Sequence, residues 1–348
     1  MRKNSGIARL VCVFAICIAL IGYNAYSFCF KGRTAKNVIT QNPVQEETSS
    51  EEENEKEKEK EKVQREDTLS SQEETESAPA STDGSVKGKV ISRYISPYSA
   101  GLSYNGVYMK NSTDLEINIK ELLSAPLGFK IAKNDSPQVL IVHTHTTETY
   151  MTEDADYYTS AFSSRTRDAQ KNMVSVGNIV AEKLNQAGIK TLHDATEHDY
   201  PNYTGSYSRA AKTINSYLKK YPTIKVVLDL HRDAVSSGDS DKVKLVTEIN
   251  GKKAAQVMLV MGSQSGSVTN FPKWKENLKL AVRLQQKIEE KYPTLARPLS
   301  LMPKNYNESL TTGSLLIEFG TDVNTLSEAH YSAELVGNAI AELLGGIT

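Results

Sequence analysis

Residues Pro137–Tyr150 read PQVLIVHTHTTETY. Val139–Val142 are four consecutive apolar residues, which predicts a buried strand by length and composition. The chain then turns polar at once, with His143, His145 and Glu148 inside six residues. Imidazole nitrogens and carboxylate oxygens are ligands that a zinc ion prefers. The carboxyl end of a buried strand is also where α/β sheets place their sites. A strand cap whose histidines satisfy local backbone groups is the plainer alternative. His-x-His-x-x-Glu at a strand end favours the metal.

Two later stretches repeat the pattern. Ile224–Leu230 is strongly β-like and runs into Asp229-Leu230-His231-Arg232-Asp233. Two strands of one sheet, each delivering a His at the same edge, can build a site from distant sequence, and His231 can complete a three-ligand set. A catalytic zinc keeps its fourth position open for water. The late strand Ser314–Phe319 carries Glu318 between Ile317 and Phe319. A carboxylate in such an apolar run is either paired or functional. The functional reading makes it a general base beside activated water.

Around these stretches, strands alternate with helices. Short elements are expected at Val107–Met109 (strand) and Ile117–Leu123 (helix). Helices are expected over Met173–Ala187, Ser208–Leu218, Leu278–Ile288 and Asn324–Leu344, with a further strand at Ile189–Leu192. Val243–Ile249 and Ala255–Met261 read as a hairpin joined near Asn250-Gly251. The alternation predicts an α/β fold, a mixed and mostly parallel sheet covered by helices on both faces, with the hairpin as the antiparallel part. His193, His198, Tyr203, Tyr207 and Arg209 fall in a polar, aromatic loop between a strand and a helix. His193 or His198 is a further ligand candidate there, and the tyrosines and Arg209 are candidates for lining a groove for sugar or peptide.

The 348-residue chain carries 41 Lys and Arg against 42 Asp and Glu, so no basic excess points to nucleic acid. All three cysteines, Cys12, Cys17 and Cys29, lie in the first thirty residues, which excludes a disulfide framework or thiolate zinc site downstream. Arg2, Lys3 and Arg9 precede the apolar run Leu10–Ile21, which continues less cleanly to Phe30. A retained transmembrane anchor over residues 1–30 is expected in preference to a cleaved signal peptide, because the chain stays apolar past Ala25-Tyr26-Ser27. Residues 31–87, dominated by Glu and Lys at Glu46–Glu66, form a disordered linker that lacks the apolar stripe a core needs. Residues 88–348 are the expected extracytoplasmic catalytic domain. Gly262-Ser263-Gln264-Ser265-Gly266 lacks the serine of a nucleophile elbow, and no phosphate-binding Gly-Lys-Ser/Thr loop occurs.

Together, HTHTTETY (His143–Tyr150), Val176-Gly177, HDYPNYTGSYSR (His198–Arg209), DLHRDA (Asp229–Ala234) and LLIEFGTDVNTLSEA (Leu315–Ala329) resemble the stage II sporulation protein P family of endospore-forming bacteria. The resemblance runs from about Val90 to the end, and the amino-terminal layout is also similar. It implies a membrane-anchored, Zn2+-dependent peptidoglycan hydrolase, an N-acetylmuramoyl-L-alanine amidase with endopeptidase activity that acts in engulfment. Stage II sporulation proteins D and M are its implied partners, and an amidase-3-like fold is implied. In that class two His and one Glu hold zinc and a Glu on a late strand is the catalyst. His231 matches the second His and Glu318 the catalyst, with Arg232 placed to steady an oxyanion or a substrate carboxylate. His145 is the choice for the first His, with His143 close behind. The usual ligand Glu opens the helix after the first strand, but Arg167–Asn172 contains none, which leaves Asp168 or Glu148 as the third ligand. Two other readings are an amidohydrolase-like barrel, which needs eight βα units and more ligands than six histidines offer, and a cell-wall binding module without catalysis.

Overall fold

Residues 84–347 are described by the computed structural model. The expected anchor and nearly all of the expected linker lie outside the described residues. Among the described residues no helix is long and apolar enough to cross a membrane. The first strand, β1 (Val86–Arg93), starts two residues before the expected domain boundary.

The larger of two sheets is built from β2 (Leu102–Tyr104), β3 (Val107–Asn111), β4 (Val139–Val142), β6 (Thr191–His193), β7 (Val226–Asp233), β11 (Val257–Gly262), β12 (Leu299–Met302) and β13 (Ser314–Thr321). Its order is β2-β3-β12-β11-β13-β7-β4-β6. Neighbours β13, β7, β4 and β6 are mutually parallel, as are β3, β12 and β11. The two blocks meet antiparallel at β11 and β13. An open sheet with β2 and β6 as its edges is no barrel, which removes the amidohydrolase-like alternative.

The sheet is mixed, but not for the expected reason. The Asn-Gly hairpin belongs to the smaller sheet, where β9 (Asp241–Ile249) turns into β10 (Lys252–Ala255) beside β1, β5 (Tyr157–Thr159) and β8 (Ser236–Ser237). Asn250 and Gly251 both have positive φ, 51° and 74°, as a two-residue hairpin turn requires. The expected strand Ala255–Met261 is divided between the sheets. The chain leaves one and enters the other at Gln256, whose buried amide bonds the Ile95 backbone and the Thr294 carbonyl. Backbone groups at a crossing between sheets need such partners.

Helices α2 (Met173–Gln186), α4 (Trp274–Lys291) and α5 (Leu326–Gly345) cover one face of the large sheet. Leu228, Leu230, Leu259, Leu301, Leu315 and Ile317 bury there against Val176, Val180, Leu284 and Val336. Asn172 caps α2, and Thr325 with Glu328 forms a capping box on α5. On the other face α3 (Ser206–Lys220) shields only the β4 end, through Ile214 against Leu140, Val142 and Val227. Cover on both faces is therefore partial: over β11, β12 and β13 the second face floors a cleft, with Met258, Val260, Ser300, Met302 and Leu316 on it.

Burial fixes the register that serves this cleft. Side chains alternate along a strand, so Leu230 and Ile317 in the core put His231 and Glu318 on the cleft face. A one-residue slip would exchange them, exposing large apolar side chains worth about 1.5–3 kcal/mol each and burying charge among the helices.

Candidate active site

Three segments converge at the cleft. The turn after β4 supplies His145 and Glu148, β7 supplies Asp229 and His231, and β13 supplies Glu318. On adjacent parallel strands Glu318 pairs in register with His231, and Leu316 with Asp229. The cleft holds about 850 Å³, and His145, Glu148, Tyr203, Tyr207, His231 and Glu318 all line it.

The His145 ring stacks on Tyr203 with centroids 4.6 Å apart and meets the His231 ring edge-on at 5.2 Å. Its Nε2 lies 3.2 Å from the Tyr203 hydroxyl, while its Nδ1 is buried with no hydrogen-bond partner. Burial, with His231 and Arg165 nearby, holds this imidazole well below its usual range, so it is neutral. Tyr203 is held in turn by the Arg165 guanidinium, 4.7 Å from its ring centre, and Arg165 pairs with buried Asp199 at 2.7 Å.

His231 is the opposite case. Burial opposes its charge, but Asp229 above all, then Glu148 and Glu318, raises its pKa to about 10. Its Nε2 is 3.0 Å from Asp229 Oδ1, an ion-pair distance without hydrogen-bond alignment, and its Nδ1 is 3.8 Å from Glu148 Oε2. Asp229 is anchored by the Thr144 backbone N–H at 2.8 Å and hydroxyl at 2.6 Å. Burial pushes the Glu318 carboxyl up to about 8, against the pull of His231, and its Oε2 has no hydrogen-bond partner.

These groups fit zinc in kind. Two imidazoles and a carboxylate are the donor set of a catalytic zinc site. His145 Nδ1 is orphaned while its Nε2 is within reach of a hydroxyl, and a metal-bound imidazole normally has its other nitrogen engaged in this way. Three carboxylates around His231 demand a cation, a demand the imidazolium meets by itself in this structure. Among the described residues no three His, Cys, Asp or Glu side chains converge tightly enough to hold a metal ion as they lie.

The other expected site residues are engaged in other ways. His143 continues the parity of Ile141 and turns under α2, not into the cleft. Its Nδ1 reaches the Leu230 carbonyl at 3.0 Å and its Nε2 reaches His193 Nε2 at 2.8 Å, so neither nitrogen is left for a metal. His193 is occupied by that bond and by Asn178. Asp168 is at the surface, paired with Lys171 at 3.0 Å, and does not line the cleft. His198 is buried between the His143 carbonyl and the Thr213 hydroxyl. Arg209 bonds the carbonyls of His198, Asn202 and Thr204, so it braces the loop that carries Tyr203. Arg232, the expected contact for an oxyanion or a substrate carboxylate, lines the cleft. Its guanidinium bonds the carbonyls of Thr149, Ser164 and Asp233, and its backbone N–H bonds Glu148 Oε2 at 3.1 Å. Arg232 therefore locks the Glu148 turn against β7.

The histidine pair explains Val176-Gly177. A Cβ on Gly177 would lie 2.5 Å from His193 Nε2 and 2.7 Å from His143 Nε2. Gly177→Ala should gain about 1 kcal/mol of helix propensity but lose about 1–3 kcal/mol to overpacking. The expected net result is a lower melting temperature, measured by calorimetry; an increase would mean the pair yields freely.

Asp229 was legible, since it lies two residues before His231 on the same strand face. Arg297, Tyr306, Lys110 and Lys304 also line the cleft, and no periodicity or motif marks them.

A family model described as Stage II sporulation protein P matches residues 19–341. The stage II sporulation protein P of Bacillus subtilis (strain 168) is 28% identical over 252 residues, 66% of this chain and 58% of that relative. The chain thus aligns with little more than half the length of that curated relative. Among solved structures, the apo N-acetylmuramyl-L-alanine amidase Ami1 of Mycobacterium abscessus is 11% identical, covering 60% of this chain and 99% of its own, with a TM-score of 0.35. The N-acetylmuramoyl-L-alanine amidase AmiC2 of Nostoc punctiforme is 14% identical, covering 62% and 98%, also with a TM-score of 0.35.

Proposed function

The chain belongs to the stage II sporulation protein P family, and from that premise we propose that it is a zinc-dependent peptidoglycan hydrolase. The bond cut is the amide between the muramyl lactyl group and L-alanine, with endopeptidase activity on the stem peptide beside it. The setting is engulfment during endospore formation, at a membrane that the amino-terminal segment anchors, with stage II sporulation proteins D and M as partners.

One observation carries the reading: half-buried Glu318, with a buried and unbonded carboxylate oxygen, stands in register beside His231 in the cleft that His145 and Glu148 also line. An amide hydrolase needs that pairing of a proton acceptor with an electrophile site. His145, His231 and Glu148 would hold the zinc, which supplies Lewis acidity toward the carbonyl and the attacking water. Glu318 takes the water's proton and delivers it to the leaving amine nitrogen. Asp229 fixes the His231 ring, and Arg232 holds the Glu148 turn. Tyr207 lines the cleft where sugar or peptide would lie, while Tyr203, stacked on His145 and held by Arg165, fixes the His145 ring.

Incubating the purified full chain with peptidoglycan and zinc should release peptides with a new amino-terminal alanine, read by mass spectrometry. No release, with binding to the wall retained, would favour the non-catalytic module. A fragment of residues 84–348, which keeps β1 whole, should be soluble and release the same products. If it binds zinc but cleaves nothing even with partner proteins added, the chemistry needs the amino-terminal segment.

A further inference from the structure

Arg297 is 4% exposed, yet it lies on the wall of the cleft, just before β12. Its backbone is fixed at both ends. The N–H donates to the Val257 carbonyl at 2.7 Å, and the carbonyl accepts from Gln285 Nε2 at 3.1 Å. The guanidinium is held on one side only, by Nη1 to Asp233 Oδ2 at 2.8 Å. Nε and Nη2 have no hydrogen-bond partner.

Those two nitrogens are not an arbitrary pair. They form the side-on edge of the guanidinium, whose parallel N–H bonds match the two oxygens of a carboxylate. Leaving two donors of a buried cation unsatisfied is costly, and native structures seldom do so without reason. Asp233 orients the fork and leaves that buried edge without an acceptor. Lys110 and Lys304 add positive charge to the same cleft. Glu318 lines the cleft as well, but no ion pair joins it to Arg297; the ion pair Arg297 makes is with Asp233.

We infer that Arg297 is a specificity-determining residue that binds a free carboxylate of the substrate through its Nε and Nη2 edge. Identifying the ligand as an acidic peptide rests on the hydrolase reading above. In a muropeptide the carboxylate nearest the scissile amide is the α-carboxylate of the second, D-isoglutamyl residue. Capture of that group would hold the peptide side of the bond in the cleft with Glu318. A substrate carrying a carboxamide there would present an N–H group to an edge that is itself all donor.

The test uses two ligands that differ only at the glutamyl α-carboxyl: N-acetylmuramoyl-L-alanyl-γ-D-glutamyl-L-lysinamide with that group as the free acid, and the same molecule with it as the carboxamide. Affinities are measured by calorimetry on the full chain carrying Glu318→Gln, so that neither ligand is consumed. The acid should bind at least about tenfold more tightly than the amide, as expected for charge-assisted bonds. Adding Arg297→Gln should weaken the acid by about 10–100-fold and leave the amide within about twofold. Arg297→Lys keeps the charge but not the fork, and should recover only part of the loss. Equal affinity for acid and amide overturns the inference without any substitution at Arg297. So does an Arg297→Gln chain that loses both ligands equally, since that is a structural role. Muropeptide release by the unsubstituted chain separates this from the hydrolase reading. Discrimination through Arg297 without release overturns the hydrolase and keeps the carboxylate site. Release with no discrimination does the reverse.

Discussion

Glu318→Gln should leave the fold and the zinc content intact and lower muropeptide release by about 10²–10⁴-fold, the usual worth of general acid–base catalysis. The fold should survive because the amide keeps the shape and volume of the carboxyl and brings no charge into a site where burial already opposes one. Oε2 has no hydrogen-bond partner to lose. Chemistry should not survive, because an amide accepts no proton near neutral pH. Melting temperature, zinc stoichiometry and peptide release on one preparation separate three roles. A structural carboxylate would lower the melting temperature and leave the folded fraction active. A ligand would lose zinc together with activity. Retained zinc with near-normal release would remove Glu318 from the reaction.

His231→Ala should abolish both zinc retention and hydrolysis, because two remaining ligands hold the ion poorly. It should also cost stability. His231 is the imidazolium among Asp229, Glu148 and Glu318, and Asp229 is held below the usual carboxylate range chiefly by His231 and Thr144, against the effect of burial. Removing one partner of a buried charge pair typically costs about 3–5 kcal/mol, so the variant should melt well below the parent even in chelator. A companion pair decides the third ligand. Glu148→Gln should lose zinc, whereas Asp168→Asn, at the surface beside Lys171, should keep it. Full zinc occupancy in His231→Ala would move His231 out of the ligand set.

Much of this site could be read in the linear chain. Apolar runs ending in His or Glu marked the strands, and a residue flanked by core residues faces away from them, so Glu318 between Ile317 and Phe319 was legible. Asp229 and His231 follow the same parity. The rest was not local. Val139–Val142 is apolar on both faces, so nothing in that stretch said which face carries the site, or that His143 turns under Gly177 while His145 turns into the cleft. The choice of Glu148 over Asp168 for the cleft wall depends on Arg232, from another strand, donating to the Glu148 carboxylate. The Asn-Gly hairpin was found in the chain, but its sheet was decided at Gln256, whose partners Ile95 and Thr294 are distant in the chain. Arg297 carried no periodicity at all. Its unpaired edge exists only because one side of the guanidinium meets Asp233 and the other meets no acceptor, and such a difference arises only when distant strands close around a charge.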